Sequence, residues 1–163
     1  LIYTDWTAED VNAKLPMLLR RHPETRIIWN AADTLALGAA ETINELEHFK
    51  AEQMFIGGID GMPDIVEPIK SGKVDASMSG HFMAGAWALV LLHDHHHGLR
   101  EKESEFMIKL QLLNKENIDA YAQVLLPENW HEIDFRLFSR HLHPSLKAYT
   151  FSMEAVLENL VDQ

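Results

Sequence analysis

The sequence predicts an α/β fold in which a parallel β-sheet is flanked by helices. Short runs rich in β-branched and aromatic residues alternate with longer segments whose apolar residues recur at helical spacing. Turns that contain glycine, proline or aspartate separate these segments. This alternation is typical of a parallel sheet with helices packed on its faces. The chain has 163 residues, of which 47% are hydrophobic, enough to build one sizeable core.

The first part of the chain contains four strand–helix pairs. Thr7 precedes a helical pattern, and Asp33 is predicted as the N-cap of the next one. Trp29 lies in a β-branched run and is predicted to pack in the core. We expect strands near 1–3, 26–31, 53–59 and 74–79, and helices near 8–21, 34–46, 65–70 and 82–97.

The second part begins with a charged link at 101–105 and continues into a predicted fifth strand at 106–113. A helix is expected over 115–126. A polar and aromatic tail follows, and we expect short helices in it near 134–142 and 153–160.

Composition excludes several classes of protein and of site. The net charge of −11 repels nucleic-acid phosphates, apart from short basic stretches, so no nucleic-acid partner is predicted. The chain has no cysteine, which excludes disulfides and thiolate metal sites. The longest apolar run, 84–92, is too short to span a bilayer. No signal peptide is recognisable, and because the chain opens inside a strand-like run we expect a further segment upstream of it.

Residues 55–64 form the most informative stretch, Phe-Ile-Gly-Gly-Ile-Asp-Gly-Met-Pro-Asp. The pattern indicates a buried strand, a tight turn and the start of a helix, with Asp60 at the carboxyl end of the strand. Ligands of open α/β sheets bind at that end, where a carboxylate accepts hydrogen bonds from polar groups. The alternative is that Asp60 only shapes the turn.

Histidines at 93, 95, 96 and 97 raise a metal hypothesis. His93 and His97 share a helix face and have the spacing to bind zinc or nickel. The alternative is a polar helix end, where histidines suit the negative end of the helix dipole. We favour the helix end and predict no metal and no cofactor. No motif of a known catalytic class occurs, so an enzyme built on these histidines is the least favoured hypothesis.

Five short motifs occur in one order along the chain. They are Asn-Ala-Ala-Asp-Thr-Leu-Ala-Leu-Gly-Ala at 30–39, Gly-Gly-Ile-Asp-Gly at 57–61, Ile-Lys-Ser-Gly-Lys-Val-Asp-Ala at 69–76, Met-Ala-Gly-Ala at 83–86 and Leu-Asn-Lys-Glu-Asn-Ile at 113–118. Their order resembles the second half of type I periplasmic sugar-binding proteins, a fold shared by lactose-repressor-type effector domains.

The resemblance implies two α/β lobes joined by three crossings, with a ligand in the cleft between them. Residues 1–80 would belong to the C-terminal lobe. A helix within 81–105 would belong to the other lobe, and 106–163 would form a return strand and a C-terminal helical extension. The second lobe would therefore be incomplete in this sequence, and the first half of such a protein would lie outside it.

The resemblance also implies ligand-binding residues. Asp60 matches the aspartate that holds ligand hydroxyls, and Asp33 matches the family pattern, although helix capping is its alternative role. The asparagine that ends the preceding strand in the family is replaced here by alanine at position 32, so Asn30 is the candidate substitute. Glycine at position 80 replaces a polar residue of the last crossing, so His81 is the candidate there.

Trp6 completes the predicted ligand-binding set, because an aromatic face suits the C–H surface of a sugar ring. The same stacking is the alternative to core packing for Trp29. These inferences predict a periplasmic protein that binds a sugar or similar small polar ligand by hinged closure. Its partner would be the membrane permease of an ABC importer or a sensor kinase. The alternative is the effector-binding domain of a lactose-repressor-type regulator. By itself the chain would expose strand edges and a helix face, so we expect it to be oligomeric or paired with the remaining half.

Overall fold

The computed structural model describes residues 1–47, 49, 53–100 and 106–161. Its four-stranded sheet has the order β1-β2-β3-β4, in which β1 pairs with β2 and β2 with β3 in parallel. β4 runs antiparallel to β3, because the chain leaves the carboxyl end of β3 and re-enters the sheet from that same end. The predicted α/β fold with a largely parallel sheet is confirmed. The strands are β1 Ile27–Trp29, β2 Phe55–Asp60, β3 Ala76–Ser79 and β4 Gln111–Asn114.

Six α-helices surround this sheet in the described residues. α1 packs against α2, and α5 packs against both α3 and α6. Short 3-10 turns occupy Pro63–Ile65, His81–Met83, Pro127–Glu132 and Phe135–Phe138. The helices are α1 Ala8–Arg21, α2 Asp33–Glu45, α3 Val66–Ser71, α4 Ala84–His96, α5 Ile118–Leu125 and α6 Met153–Val161.

The starts of α1 and α2 differ in how they are capped. Thr7 caps α1, since its Oγ1 accepts a hydrogen bond of 3.2 Å from the backbone N–H of Asp10. The N-cap prediction for Asp33 is wrong. Ala32 occupies the N-cap position of α2 and Asp33 is the first helical residue, with its carboxylate directed away from the helix to a neighbouring turn.

Two predictions near the start of the sheet are also wrong. Residues 1–3 form no strand, because no described strand pairs with them. Instead, the carbonyl of Tyr3 accepts a hydrogen bond from Lys14 Nζ at 2.9 Å. Trp29 is not a core residue. It keeps 49% of its surface exposed, because β1 forms the outer edge of the sheet.

The C-terminal tail covers α4. Trp87 on this helix is buried and contacts the rings of Phe135, Phe138 and Phe151 at centroid distances of 4.9–5.1 Å. These three phenylalanines of the tail therefore pack in or against the hydrophobic core. The predicted charged link at 101–105 lies outside the described residues. Within the described ranges, no helix has the length and apolarity that crossing a membrane requires.

Candidate functional site

The carboxyl ends of the three parallel strands bring polar side chains to one edge of the sheet. Asn30 directly follows β1, Asp60 ends β2, and His81 lies two residues after β3. His81 Nε2 lies 3.3 Å from Asp60 Oδ1. Both side chains are partly open to solvent, with 31% of Asp60 and 47% of His81 exposed. Each is therefore within reach of a ligand, and together they offer hydrogen-bond acceptors and a titratable ring.

The backbone of Asp60 is strained. Its φ of 134° lies in a region that non-glycine residues rarely adopt, at a typical cost of about 1–3 kcal/mol. The hydroxyl of Ser79, a buried residue at the end of β3, donates a hydrogen bond of 2.9 Å to the carbonyl of Asp60. Such conformations persist only where the surroundings hold them, and they cluster at functional sites.

Asp33 supplies the second support for this turn. Its buried carboxylate accepts hydrogen bonds from the backbone N–H groups of Gly61 at 2.7 Å and Met62 at 3.0 Å, and from Ser77 Oγ at 2.6 Å. The N-terminus of α2 also favours a negative charge here. Burial raises the pKa of Asp33, and the three donors offset only part of that effect. The carboxylate thus binds the turn that carries Asp60.

Two glycines make this arrangement possible. Gly61 has a φ of 68°, and a Cβ at this position would lie 1.8 Å from Ser79 Oγ. A Cβ on Gly58 would lie 2.6 Å from Asp33 Oδ1. The glycines of this stretch therefore let Ser79 and Asp33 approach the backbone on either side of Asp60.

Asn30 and Trp6 take different positions from the Asp60–His81 pair. The side-chain Nδ2 of Asn30 donates to the carbonyl of Gly57 at 2.9 Å, and its backbone N–H donates to the same carbonyl at 2.8 Å. Trp6 has a φ of 63°, is 65% exposed and borders an apolar groove. The structure thus joins Asp60 with His81, places Asn30 at the same sheet edge and buries Asp33. The role of these residues in ligand binding stays a prediction.

Sequence reasoning missed Ser77 and Ser79. Both are fully buried, and they support Asp33 and Asp60 respectively. A signal was present in the sequence, because the two serines alternate along a strand that must be buried. Polar residues at such positions need hydrogen-bond partners in the protein.

The histidines at the end of α4 form a cluster with a residue of the tail. The ring of His97 lies 4.3 Å from that of His93 and 4.4 Å from that of His141, measured between centroids. Searched over the part of the chain that is described, no group of three or more His, Cys, Asp or Glu residues is placed to hold a metal ion.

The geometry at the sheet edge agrees with a family match. The sequence profile of the periplasmic binding protein domain family matches residues 1–100, well over half of the chain. The chain belongs to this family. The profile therefore covers β1 to β3, the Asp60–His81 pair, Asn30, Asp33 and Trp6.

Solved structures show the same fold. A periplasmic sugar-binding protein from Pseudomonas fluorescens is 28% identical over 96% of this chain and 49% of its own, with a TM-score of 0.79. The periplasmic binding component of an arabinose ABC transporter from a Shewanella species, bound to L-arabinofuranose, is 19% identical over 75% of this chain and 41% of its own, with a TM-score of 0.61. A periplasmic ribose ABC transporter protein from Conexibacter woesei is 18% identical over 72% and 40%, with a TM-score of 0.65. The chain thus spans about half the length of these proteins or less.

Ala32 and Gly80 are the two positions at which this periplasmic binding protein domain is predicted to depart from the motif of its family. Ala32 serves as the backbone N-cap of α2 without a side-chain hydrogen bond. Gly80 adopts a φ of 115° between β3 and the turn that carries His81. Neither residue offers a polar side chain, and the roles of the predicted substitutes, Asn30 and His81, stay predictions.

Proposed function

We propose that this periplasmic binding protein domain forms one wall of a binding site for a sugar or a similar small polar ligand. The observation that carries the proposal is the partly exposed Asp60, held in a strained conformation at the carboxyl edge of a parallel sheet, with His81 at 3.3 Å. The related structures, which include sugar-binding proteins of ABC transporters, support the ligand class.

The proposed chemistry is hydrogen bonding. The Asp60 carboxylate accepts hydrogen bonds from two ligand hydroxyl groups, and these bonds are charge-assisted. His81 holds Asp60 in the unliganded protein and either stays beside it or donates to a ligand oxygen. Asp33, Ser77 and Ser79 do not touch the ligand but keep the turn at residues 60–62 in position. Asn30 contributes from the end of β1, and Trp6 from the segment that precedes α1.

We further propose that binding closes two lobes of the whole protein around the ligand. In this arrangement residues 1–80 form part of one lobe, 81–105 contribute to the other, and 106–163 supply a return strand and a C-terminal helical extension that packs on α4. The ligand stabilises the closed state by touching both lobes, which shifts the population toward that state. The protein would act in the periplasm as the solute receptor of an ABC importer, and a membrane sensor is the second candidate partner.

The test is a thermal-shift panel on the full-length gene product with arabinose, ribose, galactose, allose and polyols. A ligand present at about 100 times its dissociation constant stabilises the folded state by about 2.7 kcal/mol. We expect a selective rise in Tm with one class of sugar, and we expect Asp60→Ala to abolish it. Asp64→Ala is the matched control, because Asp64 is an exposed aspartate four residues away. A panel without any shift, or a shift that survives in Asp60→Ala, would overturn the proposal.

A further inference from the structure

The C-terminal tail, residues 127–161, contacts both α4 and the part of the molecule that contains the sheet. It begins beside α5, covers α4 and returns to α5 through α6. α4 itself packs mainly against the turns at 81–83 and 135–138, and within the described ranges no strand is among its principal neighbours. The tail is therefore the main packing connection between α4 and the sheet.

The middle of the tail is fixed on α4. Three phenylalanines enclose the buried ring of Trp87, at centroid distances of 4.9–5.1 Å. Asp94, which is also buried on α4, accepts hydrogen bonds from the hydroxyls of Ser139 and Tyr149. Packed aromatic rings and a buried carboxylate with several donors make this attachment firm.

Both ends of the tail are fixed on α5, the helix that packs against α3 beside the sheet. Near the first end, Trp130 Nε1 donates a hydrogen bond of 3.0 Å to the carbonyl of Val124 on α5. At the second end, α6 packs against α5. A segment that is fixed on α5 at both ends and on α4 in its middle passes between these two parts of the molecule twice.

The second passage runs beside both segments that connect the sheet with α4. Lys109 precedes β4, and its N–H donates a hydrogen bond of 3.0 Å to the carbonyl of Phe151, where Lys109 and Ser152 form a parallel bridge. Gly80 follows β3, and a Cβ at this glycine would lie 3.5 Å from Cγ of the fully buried Met153. This part of the tail therefore touches both connecting segments.

These contacts bear on hinge motion. Closure of a hinged protein rotates its lobes about the few residues that connect them. Here a third segment lies against the two connections, and its residues Phe151 and Met153 are buried. Because buried side chains are closely packed, rotation about the connections has to displace them. The third segment therefore narrows the range of angles that the hinge adopts.

We propose that residues 151–153 brace the hinge and pre-organise the sugar-binding cleft. The brace restricts the angle between the lobe that contains the sheet and the lobe that contains α4, and Met153 is its positioning residue at Gly80. A cleft whose binding-competent conformation is more populated has a higher apparent affinity. This inference rests on the proposed function, in which the sugar lies between these two lobes.

Distance measurements between two spin labels on the full-length gene product, without sugar, test the brace directly. The labels are attached at Glu67→Cys on α3 and His96→Cys on α4, both exposed positions. Cysteines outside these 163 residues are replaced by serine, since the 163 residues contain none. We expect a narrow distance distribution with the native tail and one at least about twice as wide in Met153→Ala.

Calorimetric titration with the sugar identified by the thermal-shift panel measures the effect on binding. We expect Met153→Ala to raise the Kd about tenfold, because the apparent Kd rises as the population of the binding-competent conformation falls. Met153→Leu, which keeps most of the buried volume, should bind like the wild type.

Val156→Ala is the matched control, because Val156 is equally buried on the same helix, one turn further from Gly80. It should lose stability but keep the distance distribution and the Kd of the wild type. Lys109→Pro keeps the test valid if Met153→Ala does not fold, since proline lacks the N–H that binds Phe151. Lys109→Ala keeps that N–H and should behave like the wild type, whereas Lys109→Pro should behave like Met153→Ala.

The proposal fails if the wild-type distribution is already broad, or if Met153→Ala and Lys109→Pro leave it narrow. It also fails if Val156→Ala broadens the distribution equally, or if the distribution broadens without a loss of affinity. A wild type that binds no sugar would refute the proposed function instead. The label distances, measured without sugar, would still decide whether the tail restricts the hinge.

Discussion

At the scale of single residues, the candidate site depends on the groups that hold Asp60 as much as on Asp60 itself. Ser79 binds the carbonyl of Asp60 and Asp33 binds the backbone N–H of Gly61, and both approaches require a glycine without a Cβ. A strained carboxylate that is held in this way loses little conformational entropy when a ligand binds, which favours affinity.

Gly61→Ala should destabilise the protein and weaken sugar binding. The positive φ alone costs an alanine about 1–2 kcal/mol, and the clash with Ser79 adds to that cost and displaces the turn after Asp60. Gly72→Ala is the matched control, since Gly72 has a φ of 76° but open space around it. Urea denaturation and sugar titrations measure the two effects. Equal losses of stability in both variants, with unchanged sugar affinity, would contradict this account.

At the scale of elements, a buried carboxylate joins the C-terminal tail to α4. Asp94 accepts hydrogen bonds from the hydroxyls of Ser139 and Tyr149 and from the backbone N–H of Arg140, and His93 Nδ1 lies 3.1 Å from it. Burial opposes ionisation of this group, but the hydrogen bonds outweigh burial and lower the pKa of Asp94 to about 2.

This low pKa predicts an acid-dependent loss of stability. Because the folded-state pKa of Asp94 lies below its ordinary value of 3.8, its stabilisation is present above about pH 4 and disappears as the pH falls toward 2. The difference between the two pKa values corresponds to about 2 kcal/mol in the free energy of unfolding. We expect Asp94→Asn to have a smaller free energy of unfolding than the wild type at neutral pH. The difference between the two proteins should decrease as the pH falls.

Urea unfolding between about pH 6 and pH 2 measures this gap. Asp64→Asn is the control, because it makes the same chemical change at an exposed aspartate. If the difference in the free energy of unfolding between Asp94→Asn and the wild type stays constant over this range, ionisation of Asp94 does not stabilise the tail.

At the scale of the whole molecule, the chain presents two open surfaces that a compact protein would cover. One is the edge of β1 with its groove, and the other is the face of α4 that exposes Leu89 and Leu92. Large exposed apolar surfaces typically mark contacts with other parts of an assembly. Both surfaces agree with the proposal that this domain acts within a larger, two-lobed protein.

Hinged closure predicts a change of shape in the full-length gene product. Small-angle X-ray scattering should show a smaller radius of gyration when the sugar identified by the thermal-shift panel is added. Asp60→Ala should keep the larger value at the same sugar concentration, because the ligand no longer favours the closed state. A radius of gyration that the sugar leaves unchanged in the wild type, despite binding, would exclude closure.

Much of the fold could be predicted because local patterns and packing agree. The helical spacing before and after β1 and the run that ends at Asp60 each predict an element that the structure contains, and the first helix begins directly after Thr7 as expected. Residues 1–3 and Trp29 were predicted wrongly for one reason. Their β-branched and aromatic composition favours a paired, buried strand, but pairing requires a neighbour that local sequence does not reveal.

The sequence by itself determined the α/β class, the family resemblance and the position of Asp60 at a strand end, because these depend on short-range periodicity and turn chemistry. Only the tertiary structure decided that His81 reaches Asp60, that Asp33 and Ser77 bind the turn after it, and that the edge of β1 stays open. These contacts join residues that lie 16–44 positions apart in the sequence. The open edge of β1 depends instead on the absence of a further neighbour among the described strands. Hydrogen bonds between distant residues depend on how the elements pack, and packing is a property of the whole chain.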